Sequence, residues 1–136
     1  MSNHADEVTC IHPADRRVAD PTPGKVREQG IAVDGLWSGV VRTEPGVASG
    51  WHHHGDHETS VYVIEGTVSI EYGPGGARFA DAGPGDFLHI PGGLVHREVN
   101  RGSTASQEII TRSGTGPLTV NVDGPEPTGT PRTLGP

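Results

Sequence analysis

Residues Trp51-His52-His53-His54-Gly55-Asp56-His57-Glu58 place four of the chain's eight histidines within six positions, and an acid follows directly. Neutral imidazole is a ligand for Zn, Fe, Cu, Ni and Mn, and it is also the side chain that moves protons near neutral pH. Metal binding and proton transfer are therefore the two chemistries this stretch supports. The next residues, Thr59-Ser60-Val61-Tyr62-Val63-Ile64, are apolar and β-branched, the composition of a strand. In an extended chain alternate side chains share a face, so His52 and His54 project together while His53 points away. Carried forward, the same alternation puts His57 and Thr59 on the inner face and Glu58 outside. A β-bulge reverses that and admits Glu58 instead. Parity favours His57 over Glu58.

Elements of a particular kind must hold such a face. The chain has 136 residues, enough for one domain, with 21 glycines, 12 prolines, 4% aromatics and 32% apolar residues. That composition disfavours long amphipathic helices and suits short strands joined by tight turns. Strand-length segments recur as GIAV, LWSGVVRTE, TSVYVIEG, TVSIEYG, ARFADA, DFLHIP, LVHREVN, SQEIITRS and PLTVNV, nearly all bounded by Gly, Pro, Asp or Asn. In TVSIEYG, Val68, Ile70 and Tyr72 alternate with Thr67, Ser69 and Glu71, the period of a half-buried strand. The expectation is an all-β sandwich or barrel over residues 28–123, with an irregular arm at 1–27 and a Pro/Gly-rich tail at 124–136.

The formal charge of -7 and the lack of any basic stripe exclude nucleic acid and anionic membrane surfaces as partners. One cysteine, Cys10, permits no intrachain disulfide and suits a reducing compartment. The first residues lack the basic-then-apolar pattern of an export signal, so a cytoplasmic location is expected.

Residues further along sharpen this reading. Gly85, Pro91, Gly93, His96 and Asn100 have the spacing glycine, five residues, Pro-x-Gly, two residues, histidine, three residues, asparagine; Gly46, His52-x-His54 and Gly66 form a companion motif. Together they resemble the two motifs of the cupins. The resemblance implies a single jelly-roll (double-stranded β-helix) cupin barrel, a homodimer, and a site in which His96 lies opposite His52 and His54 as a third metal-binding nitrogen. In the family's first motif a glutamate completes the ligand set. Counting back from Gly66 puts that slot at Thr59, whereas counting forward from His54 reaches Glu58, so the fourth ligand is left between His57 and Glu58. A divalent ion is implied, Fe first, with Zn, Mn, Ni or Cu as alternatives. The implied activity is Fe(II) dioxygenase chemistry on a small oxygen-rich molecule. A zinc-type cyclase or isomerase, with His89 carrying protons, and a noncatalytic ligand-binding barrel are the alternatives. Trp51 and Tyr62 read as barrel walls, Asp86 and Asn100 as turn ties, Glu65 and Glu98 as solvated strand positions, and Arg97 and Arg112 as surface residues.

Overall fold

The structure, a computed structural model, describes residues 6–22 and 24–124. Eleven strands follow one another: β1 (Arg17–Thr22), β2 (Lys25–Val33), β3 (Leu36–Thr43), β4 (His52–His53), β5 (Thr59–Glu65), β6 (Val68–Tyr72), β7 (Arg78–Ala82), β8 (Phe87–Ile90), β9 (His96–Val99), β10 (Ser106–Ser113) and β11 (Val120–Asn121). Two short 3₁₀ turns, Pro13–Asp15 and Pro74–Gly76, are the helical elements among the described residues. None is long enough to cross a membrane.

Pairing is antiparallel throughout. A six-stranded sheet runs β1-β2-β3-β10-β5-β8 and a five-stranded sheet β11-β4-β9-β6-β7. The two inner faces enclose one interior, the architecture of a jelly roll. Its apolar half comes from β5, β6 and β8, where Val61, Val63, Val68, Ile70 and Ile90 are buried together. Each such side chain contributes about 1.5–3 kcal/mol on burial.

The other half of the interior is polar. Lys25 of β2, Ser106, Glu108 and Arg112 of β10, and His96 of β9 are all buried. An ion pair between Lys25 and Glu98 joins the two sheets across the interior. Trp37, from β3, lies on this side, its Nε1 donating to Gln29 Oε1 at 2.9 Å and the Arg112 guanidinium 5.2 Å above its ring. The indole lies across Gly39. A Cβ there would come within 2.6 Å of Trp37 Cη2 and 2.5 Å of the Glu28 carbonyl oxygen, so only glycine fits.

Several expectations change. β1 and the start of β2 form a hairpin within residues 1–27, where an irregular arm was expected. Tyr62 is not an inner barrel wall. It lies on the outer face of its sheet, packed at a tilt against Phe87 with ring centroids 4.8 Å apart. Glu98 and Arg112, expected at the surface, face the interior. Asn100 does tie turns, its Nδ2 donating to the carbonyls of Thr43 and Thr104 at 3.0 and 2.9 Å. The expected tail falls outside the described residues beyond Gly124.

Candidate metal centre

β4 and β9 run side by side with His52 opposite His96, and the chain leaving β4 carries His54 to the same side. All three are buried, with ring centroids 4.4–4.9 Å apart and ligand atoms within 4.8 Å of one another. Each Nδ1 faces a backbone carbonyl: Gly50 at 2.9 Å for His52, Leu118 at 2.7 Å for His54, and Leu94 at 2.9 Å for His96. A carbonyl only accepts, so Nδ1 carries the ring proton and Nε2 keeps its lone pair.

Electrostatics agree with that tautomer. Burial pushes His52 down to about 4 and His54 down to about 3, with the Arg112 charge adding to the second; burial lowers His96 as well. All three rings are neutral at pH 7. Nε2 of His54 and of His96 are enclosed and meet no protein hydrogen-bond partner. Leaving a buried polar atom unsatisfied costs about 1–3 kcal/mol, and a divalent ion on these lone pairs removes that cost. The donor set therefore fits a divalent metal.

Neither residue expected to complete the set joins the cluster. His57 is buried, as strand parity requires, but Nδ1 faces the Ser113 carbonyl and Nε2 lies 3.2 Å from that of Gly116, so the ring fastens the 113–116 turn. Glu58 is exposed. Its Oε1 meets His89 Nε2 at 2.6 Å, its Oε2 accepts from the Gly92 amide at 2.8 Å, and that amide followed by His89 lowers its pKa. His89 thus stands on the outer face of β8, opposite Ser60, and cannot carry protons at the cluster. Thr59 takes the inward place, opposite Arg112 on β10, with an enclosed Oγ1 that meets no partner. His53 points outward and accepts from the Gly55 amide at 2.9 Å.

The sequence reading missed the charged wall beside the cluster. Burial raises the Glu98 carboxyl but the adjacent Lys25 charge outweighs it, holding Glu98 well below the usual range. Glu108 goes the other way, pushed up to about 7 by burial and by Glu98. On the far side of the five-stranded sheet, Arg97 pairs with Glu71 at 2.6 Å and packs 5.1 Å from the Trp51 ring, so it does not face the cluster.

Two antiparallel sheets closed around buried, neutral histidines define a jelly-roll barrel with a cluster that could hold a metal ion. The cupin-domain family profile matches residues 39–111, more than half the chain, and the chain belongs to the cupin family. Cupins bind divalent metals, and His52, His54 and His96 are the residues here that could hold one. Similar solved structures include the polyketide cyclase RemF from Streptomyces resistomycificus (22% identity, 85% of this chain and 86% of that one, TM-score 0.69). KdgF from Halomonas sp. is 22% identical over 81% of this chain and 96% of its own, with a TM-score of 0.68. Oxalate decarboxylase from Bacillus subtilis, described with Mn(II) centres, is 18% identical over 75% of this chain and 29% of its own, with a TM-score of 0.66. No curated protein matches the sequence.

Proposed function

We propose that the protein is a metalloenzyme in which His52, His54 and His96 hold a divalent ion that binds a small, enolisable oxyanion. The observation that carries this reading is the convergence of three neutral imidazoles whose Nδ1 protons are fixed by carbonyls. With no carboxylate in the cluster, the ion would keep its full double charge, which favours anionic chelating substrates and strongly polarises a bound carbonyl. Lewis-acid chemistry, an isomerisation or cyclisation, follows from that charge, and the likeness to a polyketide cyclase supports it. Iron in the same site would support the second reading, dioxygenation of the same substrate class, because iron is redox-active where zinc is not.

The experiment is elemental analysis of protein purified without chelator, beside the variants. His52→Ala, His54→Ala and His96→Ala each retain a small fraction of the metal, while His53→Ala, His57→Ala and Glu58→Gln retain it fully. Full metal content in all three ligand variants rejects the site. Zinc without oxygen uptake selects the Lewis-acid reading, and iron with substrate-dependent oxygen uptake selects the other.

Self-association belongs to this proposal. Across the outer face of the six-stranded sheet, Val18, Val40, Ile109, Tyr62 and Phe87 follow one another through paired positions, with Glu28 between the first two. Val18, Ile109 and Phe87 are exposed. Six strands about 4.8 Å apart and about 20 Å long give a face of roughly 600 Å², near the 800 Å² per partner of a stable interface. A second copy of this chain is the occupant proposed.

A further inference from the structure

Glu108 is buried on the inner face of β10, between the uncharged Val41 of β3 and Val63 of β5. Ser106 Oγ donates to its Oε1 at 3.1 Å, whereas Oε2 is enclosed and meets no partner. An acid with a structural task is closed on both oxygens, as Glu71 is by Arg97 and Arg101. No protein group completes Oε2 of Glu108 in the interior, which is costly unless a group from outside the protein does so. The charged groups acting on it are Lys25 of β2 and Glu98 of β9, and the same two act on His52 and His96. The carboxyl and the histidine cluster therefore flank one ion pair. Burial keeps a large share of Glu108 neutral near pH 7, and a neutral carboxyl is a hydrogen-bond donor.

We propose that Glu108 contacts the substrate, donating a hydrogen bond from its carboxyl group to an oxygen of an oxyanion whose chelating oxygens lie at the histidine cluster. This rests on the metal reading above and narrows its substrate class. The molecule carries a chelating oxygen pair at one end and an acceptor oxygen several bonds away. A 2-oxo dicarboxylate is the simplest probe with both features, and pyruvate has the chelating pair alone.

The test uses the full chain loaded with Co(II), whose visible absorption reports ligands, titrated with 2-oxoglutarate and with pyruvate. Wild type binds 2-oxoglutarate about tenfold or more tightly than pyruvate, the scale of one hydrogen bond to a charged acceptor. Glu108→Met abolishes that preference without lowering Co(II) content, and Glu108→Gln, which keeps an N–H donor, retains it. Equal affinities in wild type, or a preference that survives in Glu108→Met, overturn the assignment. Should Glu108→Met fail to fold, the wild-type comparison and Glu108→Gln decide, a preference lost in the latter also overturning it. A wild-type protein that takes up no Co(II) overturns the metal reading, and this assignment with it, before any oxo acid is added.

Discussion

His57 is as deeply buried as the three clustered histidines and stands three positions from His54, yet both its ring nitrogens are turned to carbonyls of a turn. What separates it from them is where the second nitrogen points: theirs converge on one another, whereas its lies against the Gly116 carbonyl, away from the cluster. Glu108 is distinguished in the same way from Glu71, one oxygen left open against two closed, and its environment has a consequence for stability. Its native pKa is raised to about 7 from an ordinary 4.5. Between those values the native state binds more protons than the unfolded chain, so this group's contribution falls as pH rises through the window and is lost above about 7. The clustered histidines, lowered from 6.5, act in the opposite sense. Their contribution to the metal-free protein is full above about 6.5 and is lost as pH falls toward 4 and below. Both slopes operate near pH 5–6, so the difference between wild type and Glu108→Gln isolates the carboxyl. Urea unfolding of the metal-free pair at pH 5 and pH 8 is expected to show Glu108→Gln gaining on wild type at the higher pH, by on the order of 2–3 kcal/mol. An unchanged difference across that range means Glu108 is not raised.

At the scale of elements, the polar half of the barrel depends on how β3 presents Trp37. The indole reaches Gln29 on β2 and lies beneath Arg112 on β10, and it does so by crossing Gly39. Gly39→Ala would push a methyl group against a carbonyl oxygen and the ring together. The expected cost is about 1–3 kcal/mol, read as a lower melting temperature with a shifted Trp37 fluorescence. A melting temperature equal to wild type would show that the ring moves freely. The same strands explain what was legible beforehand. β5, β6 and β10 announced themselves because β-branched residues fill their segments and turn residues bound them. β1 and the start of β2 did not. β2 turns Lys25 inward and Val26 outward, so a rule that sends apolar residues inside assigns nothing to it. Glu98 and Glu108 were illegible for that reason too: a charged residue facing a functional interior is written like one facing water, and only the partner across the barrel, Lys25 for Glu98, tells them apart. His52, His54 and His96 were legible because spacing along strands fixes their common face. The fourth position was not, since Thr59, His57 and Glu58 differ by a turn geometry that depends on carbonyls more than fifty residues away.

For the whole molecule, the two outer faces differ in what covers them. On the five-stranded sheet, Glu71 is closed by Arg97 and Arg101, Ser69 donates to Asp81 at 2.7 Å and Val99 is buried, which leaves Phe79, opposite Glu71, as an isolated exposed apolar side chain. On the six-stranded sheet the row through Val40, Ile109, Tyr62 and Phe87 meets water, with Phe87 72% exposed. Contiguous apolar surface of that kind marks an interaction face more often than an isolated exposed residue does. A two-fold pairing is self-complementary by construction, each copy's row lying across the other's, so one patch suffices for both subunits. A single charge at its centre should then act twice. Ile109→Lys places an ammonium in the middle of the row of each copy, where burial against the partner costs several kcal/mol and leaves the buried inner face of β10 untouched. Light scattering on a sizing column is expected to give about twice the chain mass for wild type and the single-chain mass for Ile109→Lys, with metal content unchanged because the cluster lies on the opposite sheet and inside. A wild-type monomer at tens of micromolar, or an Ile109→Lys variant that remains a dimer, removes this face as the interface.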